Sequence, residues 1–333
     1  MIDREGWIQV LSCGVCGSAD SKKVSQVRDI DVVRCDSCGT VRITAVRDPS
    51  LVYADGYHLG ETWGDELDGT FDYTAPENIA YERHCCTLRL QWLEKFTEPG
   101  RLIDVGGGVG TFAQVAKERG WDPTVVEPVP SAIDFVKGLG LKGIVAGIDD
   151  LSPAGSNFDV LSLIHVIEHF TDVTDALTKA KSAVKPGGFI FMELPHWDSI
   201  PRRVSGDNWV GWRPGQHIHL FTKQTLAKAF EMAGLETVSI KSVVLLWDGL
   251  IPDYYAYLVG GTAVFNRLIG FSRKVRRAAP ESAGGEIKEE MPPSLKDQPF
   301  KRTLLKPPID IAARIEEWLG VGENLRAIAR VPG

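Results

Sequence analysis

The stretch RLIDVGGGVGTF, residues 101–112, decides the fold of this chain. Its apolar start predicts a short strand that carries Asp104, and TFAQVAKERG, which begins at Thr111, predicts a helix. The glycines between them allow the backbone to turn sharply and approach a ligand closely, and the first turn of the helix offers N–H groups to that ligand. This order predicts a nucleotide-binding corner. Its glycines are Gly106, Gly107, Gly108 and Gly110.

Strands and helices alternate along the chain after this corner. Such alternation predicts a parallel sheet with helices on both faces. The predicted strands are PTVVEP, GIVAG, FDVLSLI, FIFMELP, LETVSIKSVVLLW and LRAIARV, and the predicted helices are SAIDFVKGLG capped by Ser131, TDVTDALTKAKSAVK ended by Pro186, and TKQTLAKAFEMAG. Apolar residues at helical spacing predict one more helix, over residues 76–96.

The spacing of the glycines separates two kinds of nucleotide site. A dinucleotide-binding corner has the pattern GxGxxG, which would require glycine in place of Thr111, whereas this chain has GxGxG. Glu127 ends the next predicted strand, and one carboxylate can accept hydrogen bonds from two adjacent ribose hydroxyls. Glycines that serve packing alone are the alternative interpretation, and Glu127 at this strand end favours a ligand site.

The corner and Glu127, together with FDVLSLIHVIEHF (158–170) and KPGGFIFMELP (185–195), resemble a class I S-adenosylmethionine-dependent methyltransferase. The resemblance covers residues 80–247 and resumes near the C-terminal end of the sequence. It implies an α/β fold with a Rossmann-like sheet of seven strands and helices on both faces. In that sheet the last strand is antiparallel and lies beside the sixth.

The same resemblance implies roles for individual residues. Asp104 and the glycine backbone would face the methionine part of S-adenosylmethionine, and Glu127 would bind its ribose. Asp149 or Asp150 would lie near the adenine amine. His165 would line the cofactor and substrate side.

His165 and His169 are four residues apart, as two metal ligands on one helix would be. However, the order HxxEH differs from the metal-binding HExxH, and the resemblance places these residues at a turn between a strand and a helix. We therefore expect a structural turn, whose His and Glu side chains hydrogen-bond the loop, rather than a metal site.

Two CxxC pairs lie near the start of the sequence, 18 residues apart, and a glycine follows each pair. This pattern favours two tight turns that direct four thiolates at one ion. We predict a structural Zn²⁺ in a ribbon over residues 1–45, and two unrelated dithiols or a disulfide are the alternatives. Similar zinc modules occur in methyltransferases that act on sugars, which suggests a sugar acceptor. The predicted zinc ligands are Cys13, Cys16, Cys35 and Cys38.

Residues 195–226 follow the fifth predicted strand, at the edge where ligands bind in such sheets. Their aromatic and basic side chains suit sugar faces and anionic groups. His217 and His219 are candidate general bases, since histidine accepts protons near neutral pH, and the alternative is that they only order the loop. Their spacing of two directs both side chains to one side of an extended segment. The predicted acceptor-binding residues are His196, Trp209 and Arg213.

Length, charge and composition bound the remaining possibilities. The chain has 333 residues and a formal net charge of −7, which disfavours nucleic acid as a partner. The charged N-terminal segment and the use of cysteine predict a cytoplasmic protein. Residues 248–277 combine apolar and basic side chains, so this segment is a candidate for contact with a membrane surface, and a substrate lid or a homodimer element is the alternative. The predicted parts after the ribbon are a connector (46–75), the methyltransferase core (76–247), an insertion (248–320) and a last core strand (321–333).

These observations predict methyl transfer from S-adenosylmethionine to a small molecule, a glycan or a nucleotide-linked sugar, with O-methylation favoured over C-methylation. Two other functions remain open. An NAD-dependent oxidoreductase or epimerase is disfavoured by Thr111 and by the lack of a Tyr-x3-Lys pair. A non-catalytic binding module that uses the zinc ribbon is the second alternative.

Overall fold

The computed structural model describes residues 6–53, 76–151, 157–213, 215–244 and 314–333. Contacts divide the chain into two units, residues 1–243 with 320–333 and residues 244–319. Within the second unit, residues 314–319 are helical. Most of the predicted connector and the predicted membrane-contact segment lie outside the described residues. None of the described helices is both long and apolar enough to cross a membrane.

The N-terminal part of the first unit consists of short antiparallel strands. Strands β2, β3 and β4 pair in that order, and β1 pairs with β5. A short helix follows them. These elements are β1 (Trp7–Gln9), β2 (Ser21–Val27), β3 (Ile30–Cys35), β4 (Val41–Ile43), β5 (Ala45–Arg47) and helix α1 (Pro49–Val52).

Strands and helices alternate through the rest of the first unit, as the sequence predicts. The helices are α2 (Pro76–Leu93), α3 (Thr111–Glu118), α4 (Pro130–Gly138), α5 (Val173–Ala183), α6 (Ile200–Ser205) and α7 (Lys223–Met232). The strands are β6 (Arg101–Val105), β7 (Asp122–Glu127), β8 (Lys142–Val145), β9 (Phe158–Ile164), β10 (Val184–Pro195), β11 (His219–Leu220), β12 (Glu236–Val243) and β13 (Asn324–Arg330).

Seven of these strands form one sheet in the order β12-β13-β10-β9-β6-β7-β8. Strands β6 to β10 run parallel, and β13 lies antiparallel between β10 and β12. The predicted sheet, including the antiparallel last strand beside the sixth, is confirmed. The carboxyl ends of the parallel strands lie at one edge, where doubly wound sheets bind their ligands.

Two local predictions about helix ends are wrong. Ser131 does not cap α4, because the helix begins one residue earlier, at Pro130, which has no N–H group to satisfy. Pro186 does not end α5, because the helix stops at Ala183 and β10 begins at the next residue. The pairing of β10 with β9 shifts register between Val184 and Phe189, and this irregularity accommodates the proline.

The N-terminal ribbon is joined to the larger sheet domain by several contacts. Strand β11, from the segment after β10, pairs antiparallel with β4 and extends the ribbon sheet to four strands. At the start of α5, the N–H groups of Val173 and Thr174 donate to the Gly14 carbonyl at 2.9 and 3.1 Å. The Thr174 hydroxyl donates to the Val15 carbonyl at 2.8 Å. The fold of the ribbon therefore supports the position of the segment that follows β10.

Candidate active site

The glycine corner after β6 has a backbone conformation that glycine adopts readily. Gly106 and Gly110 have φ angles of 70° and 80°. A Cβ atom added at Gly106 would lie 2.6 Å from Val166 Cγ2, and one at Gly107 would lie 2.6 Å from Asp104 Oδ2. The corner is therefore packed closely against the turn after β9, and larger side chains would collide with that turn or with Asp104.

Asp104 lies near the end of β6 and is almost fully buried. The Ser162 hydroxyl, on the neighbouring strand β9, donates to its Oδ1 at 2.6 Å. Its Oδ2 is buried and accepts no hydrogen bond from a described residue. Burial raises the pKa of Asp104 to about 7. A carboxyl oxygen in this position requires a donor that the described part of the chain does not supply.

Glu127 ends β7, on the other side of the glycine corner, and is also buried. Its Oε2 accepts from the Gly108 N–H at 3.1 Å, and its Oε1 accepts from the Val129 N–H at 3.3 Å. Each carboxylate oxygen has two lone pairs. These main-chain bonds therefore hold the carboxylate at the ligand-binding edge of the sheet.

Asp149 and Asp150 lie in a single helical turn after β8, at the same edge of the sheet. Asp149 Oδ1 is 2.6 Å from the ammonium group of Lys179, and its side chain is 78% exposed. Asp150 Oδ2 accepts from the Gly147 N–H at 2.8 Å and so stabilises its own turn. The structure does not test their predicted contact with adenine.

The turn after β9 contains a fully buried carboxylate, Glu168. Neither of its oxygens makes a hydrogen bond to a described residue. The ring nitrogens near its Oε1 are His165 Nδ1 at 3.4 Å and His217 Nε2 at 3.9 Å. The other nitrogen of His217, Nδ1, donates to the Gly211 carbonyl at 2.9 Å.

His169 completes this group of side chains. Its Nδ1 is 2.7 Å from the Tyr53 hydroxyl, and its ring lies edge-on to that of His217, with 4.8 Å between the ring centroids. Burial lowers the pKa of His169 to about 4 and that of His217 well below its usual value, and the nearby charge of Arg213 acts in the same direction. Both imidazoles are therefore neutral at pH 7.

His165, which was predicted to line the site, directly follows β9 and has a φ angle of 55°. This left-handed conformation is uncommon for a residue with a side chain and concentrates at functional sites. Its N–H donates to the Glu193 carbonyl at 2.7 Å, and its side chain is 35% exposed. The structure brings His165, Glu168, His169 and His217 together beside the glycine corner.

The two candidate bases do not share a site, contrary to their expected common direction. His219 lies in β11, where its Nε2 accepts from the Gly14 N–H at 3.1 Å and its Nδ1 donates to the Phe170 carbonyl at 3.0 Å. Burial lowers its pKa to about 4. Both ring nitrogens of His219 bond to the main chain, so this residue joins the ribbon to the larger domain. It therefore has no lone pair with which to take a proton from the molecule to be methylated. Of the two histidines, only His217 faces the cluster.

The three predicted acceptor-binding residues do not lie together either. Trp209 is 3% exposed and packs edge-on against Trp212 in the hydrophobic core beneath the ribbon, so it is not positioned to stack on a sugar. His196 is buried, and its Nδ1 donates to the Gly322 carbonyl at 2.9 Å. Arg213 is half-buried, and its charge acts on the nearby histidines of the cluster. Of these three residues, only Arg213 lies near the histidines beside which the acceptor is predicted to bind.

The four predicted metal ligands of the ribbon converge as expected. Their sulfur atoms all lie within 4.8 Å of one another, and the Cys13–Cys38 and Cys16–Cys35 pairs have Sγ–Sγ distances of 3.5 Å. These distances exclude disulfide bonds. A tetrahedral ion with Zn–S bonds of about 2.3 Å would separate its ligands by about 3.8 Å. The cluster fits a zinc ribbon.

A sequence model of a methyltransferase domain matches residues 78–240. This match covers the glycine corner, Glu127 and the turn after β9. The chain contains a class I S-adenosylmethionine-dependent methyltransferase domain. The predicted family is thereby confirmed.

The methyltransferase domain is similar to two named ubiquinone biosynthesis O-methyltransferases. One, from Methylobacterium sp. (strain 4-46), is 29% identical over 155 residues, which are 43% of this chain and 62% of that protein. The other, from Methylocella silvestris, is 28% identical over 208 residues, which are 56% of this chain and 81% of that protein. The match thus spans less than two thirds of the first relative's length.

Solved structures with a similar arrangement include an S-adenosylmethionine-dependent methyltransferase from Archaeoglobus fulgidus. It is 18% identical, the match covers 74% of this chain and 94% of that chain, and the TM-score is 0.45. Another is a methyltransferase in complex with the Haloferax volcanii Trm112 activator. It is 15% identical, the match covers 78% of this chain and 95% of that chain, and the TM-score is 0.48.

Beneath the site, the methyltransferase domain contains a buried ion-pair network centred on Glu193 of β10. Arg89 Nε donates to its Oε1 at 2.9 Å and Arg326 Nε to its Oε2 at 2.6 Å, and all three side chains are almost fully buried. Burial would raise the pKa of Glu193, but the two guanidinium groups hold it at about 2. The network joins α2, β10 and β13 under His165.

Replacing Glu193 by glutamine is expected to lower the free energy of unfolding by about 3–5 kcal/mol, because buried Arg326 loses its partner charge and buried Arg89 keeps only Glu82. Urea unfolding at pH 7 measures this loss. Asp122→Asn, which removes one carboxylate from an exposed pair with Lys142, should cost less than about 1 kcal/mol. Since the folded pKa of Glu193 lies below the unfolded value of about 4.3, its contribution should be complete above that pH and fade as the pH falls towards 2. Equal losses in the two variants would contradict the network's role.

Three residues of the site were not predicted to have a functional role. Glu168 carried a signal, since it is an acidic residue beside a histidine in HVIEH, but its predicted role was a structural hydrogen bond. Ser162 and Tyr53 carried none, because their partners, Asp104 and His169, are distant in sequence.

Proposed function

We propose that this protein transfers a methyl group from S-adenosylmethionine to an oxygen atom of a small-molecule, glycan or nucleotide-sugar acceptor. The observation that carries the proposal is the pair of buried carboxyl groups, Asp104 and Glu127, on either side of a close-packed glycine corner. The names of the relatives, which are O-methyltransferases, support oxygen as the methylated atom.

The described residues fit the cofactor. The unsatisfied Oδ2 of Asp104 faces the glycine corner and suits the cationic methionine part, and the carboxylate of Glu127 suits two ribose hydroxyls. The adenine would lie near Asp149 and Asp150, after the neighbouring strand. When bound, S-adenosylmethionine supplies a methyl group that its sulfonium has already activated.

The acceptor would lie beside the turn after β9. Val166 contacts the glycine corner, and the buried groups Glu168 and His217 continue from it towards the segment after β10. The protein would orient the acceptor oxygen towards the methyl group and exclude water from the reaction. The acceptor proton would leave towards the cluster, where His217 is the remaining candidate for its acceptor.

We also propose that the four-thiolate cluster binds one structural Zn²⁺. A site with four protein ligands is closed, so the ion would act on folding and not on the acceptor. Its effect on the active site would pass through Gly14, which bonds both to α5 and to His219.

The experiment is isothermal titration calorimetry with S-adenosylmethionine, S-adenosylhomocysteine and NAD, followed by assays of S-adenosylhomocysteine release with panels of phenols, sugars and nucleotide sugars. We expect both sulfur ligands to bind, NAD not to bind, and one acceptor class to stimulate release. Binding of NAD in place of the sulfur ligands would contradict the proposal and favour an oxidoreductase. Cofactor binding without stimulation by any acceptor would favour a binding module.

A further inference from the structure

Glu168 is the least explained group in the described part of the chain. Its carboxylate is fully buried, and neither oxygen accepts a hydrogen bond from a described residue. Transferring a carboxylate from water to such a place is costly unless a cation or several donors compensate for the lost hydration. The imidazoles around Glu168 offset part of this cost, with His165 Nδ1 at 3.4 Å and His217 Nε2 at 3.9 Å from its Oε1, and a cation bound among these side chains would offset more of it.

The neighbours of Glu168 provide further metal-binding atoms. One carboxylate oxygen of Glu168 and one ring nitrogen each of His169 and His217 lie within 4.8 Å of one another. His217 Nδ1 bonds to the Gly211 carbonyl, which leaves Nε2 directed towards Glu168. His169 Nδ1 bonds to the Tyr53 hydroxyl, which leaves its own Nε2 as a ligand.

These outer hydrogen bonds have the form found around metal-binding histidines. A ligating imidazole usually gives its second nitrogen to a carbonyl, a carboxylate or another oxygen, and this contact fixes the ring and its tautomer. Both His169 and His217 have such a partner, supplied by different parts of the chain. The sequence analysis considered His165 and His169 as a metal pair and favoured a structural turn, whereas the fold brings Glu168 and His217 together with His169.

We propose that Glu168, His169 and His217 bind a divalent transition-metal ion. Two imidazoles and one carboxylate suit Zn²⁺, Fe²⁺, Co²⁺ or Mn²⁺ better than a soft monovalent ion. Three protein ligands leave coordination positions open, unlike the closed four-thiolate cluster of the ribbon. The two sites would therefore differ in the type of ligand, in how readily the bound ion exchanges with solution, and in role.

The role of this ion rests on the proposed function. A hydroxyl group bound at an open position would lose its proton more readily, with solvent as the final proton acceptor, because the ion stabilises the resulting oxygen anion. The ion would then replace His217 as the means of activating an acceptor oxygen, and His217 would act as its ligand. Metal binding itself does not depend on this role.

The test is a count of metal sites on the full chain. Protein loaded with one equivalent of Zn²⁺ is titrated with Co²⁺, and both calorimetry and absorption spectra are recorded. We expect one equivalent of Co²⁺ to bind without thiolate-to-cobalt charge-transfer absorption, because nitrogen and oxygen ligands take it up. His217→Ala and Glu168→Gln should weaken Co²⁺ binding by at least about 100-fold and leave the zinc content unchanged.

The matched control is His84→Ala, which removes an exposed imidazole from α2 and should bind Co²⁺ as the wild type does. Near-ultraviolet circular dichroism shows whether each variant folds, and the nearly isosteric Glu168→Gln serves if His217→Ala does not. Failure of the wild type to bind Co²⁺ would overturn the proposal, as would unchanged binding by folded variants. S-adenosylhomocysteine titration of the same samples separates this outcome from failure of the proposed function.

Discussion

Replacing Cys35 by alanine is expected to abolish zinc binding at the ribbon and to lower the free energy of unfolding by at least about 4–5 kcal/mol. In a domain of this size the melting temperature should fall by about 10 °C or more. The effect should extend beyond the ribbon, because Gly14 bonds to α5 and to His219. Mass-spectrometric metal analysis and differential scanning calorimetry measure the two changes.

The matched control is Cys85→Ala, which removes an equally buried thiol outside the cluster. This variant should retain one zinc per chain at the ribbon and lower the free energy of unfolding by only about 1 kcal/mol. If Cys35→Ala kept the zinc content and melting temperature of the wild type, the four-thiolate site would be wrong. Readily exchangeable ions are removed before zinc is measured, so that only zinc at the closed four-thiolate site is counted.

Replacing Glu127 by alanine is expected to weaken S-adenosylhomocysteine binding by more than about 100-fold. Two charge-assisted hydrogen bonds to ribose would be lost, each contributing about 1.5–3 kcal/mol. The carboxylate also accepts from Gly108 and Val129, so part of the loss would come from a looser glycine corner. Calorimetric titration with S-adenosylhomocysteine measures the affinity without any knowledge of the acceptor.

Asp122→Ala is the control for this effect, because Asp122 begins the same strand, β7, that Glu127 ends. It removes a carboxylate from the opposite edge of the sheet and should leave the affinity unchanged. Glu127→Gln should lie between the alanine variant and the wild type, since it retains one acceptor oxygen. An alanine variant with wild-type affinity would show that the ribose is bound elsewhere.

Much of the fold could be predicted because its signals are local. The apolar runs that became β6, β7, β9 and β10 are bounded by glycine, proline or acidic residues within a few positions. The glycine corner and Glu127 are likewise placed by the strands that precede them. The errors at Ser131 and Pro186 are also local, because in each case two neighbouring signals compete for one boundary.

The acceptor side could not be predicted to the same degree. Trp209 and His196 have the residue types of a binding surface, yet both are buried, because Trp209 packs against the ribbon and His196 bonds to the residues just before β13. His217 and His219 are two residues apart, but one faces Glu168 and the other bonds to Gly14. Residue type and spacing do not reveal which distant segment covers a loop.

The sequence by itself determined the alternation of strands and helices, the glycine corner with its flanking carboxylates, and the four-thiolate cluster. Each of these depends on a few residues close together in the chain, or on repeated short motifs. Only the tertiary structure decided that the ribbon supports the segment after β10 and that Glu168, His169 and His217 meet. That juxtaposition arises where separate strands end at one edge of the sheet, and no spacing along the chain encodes it.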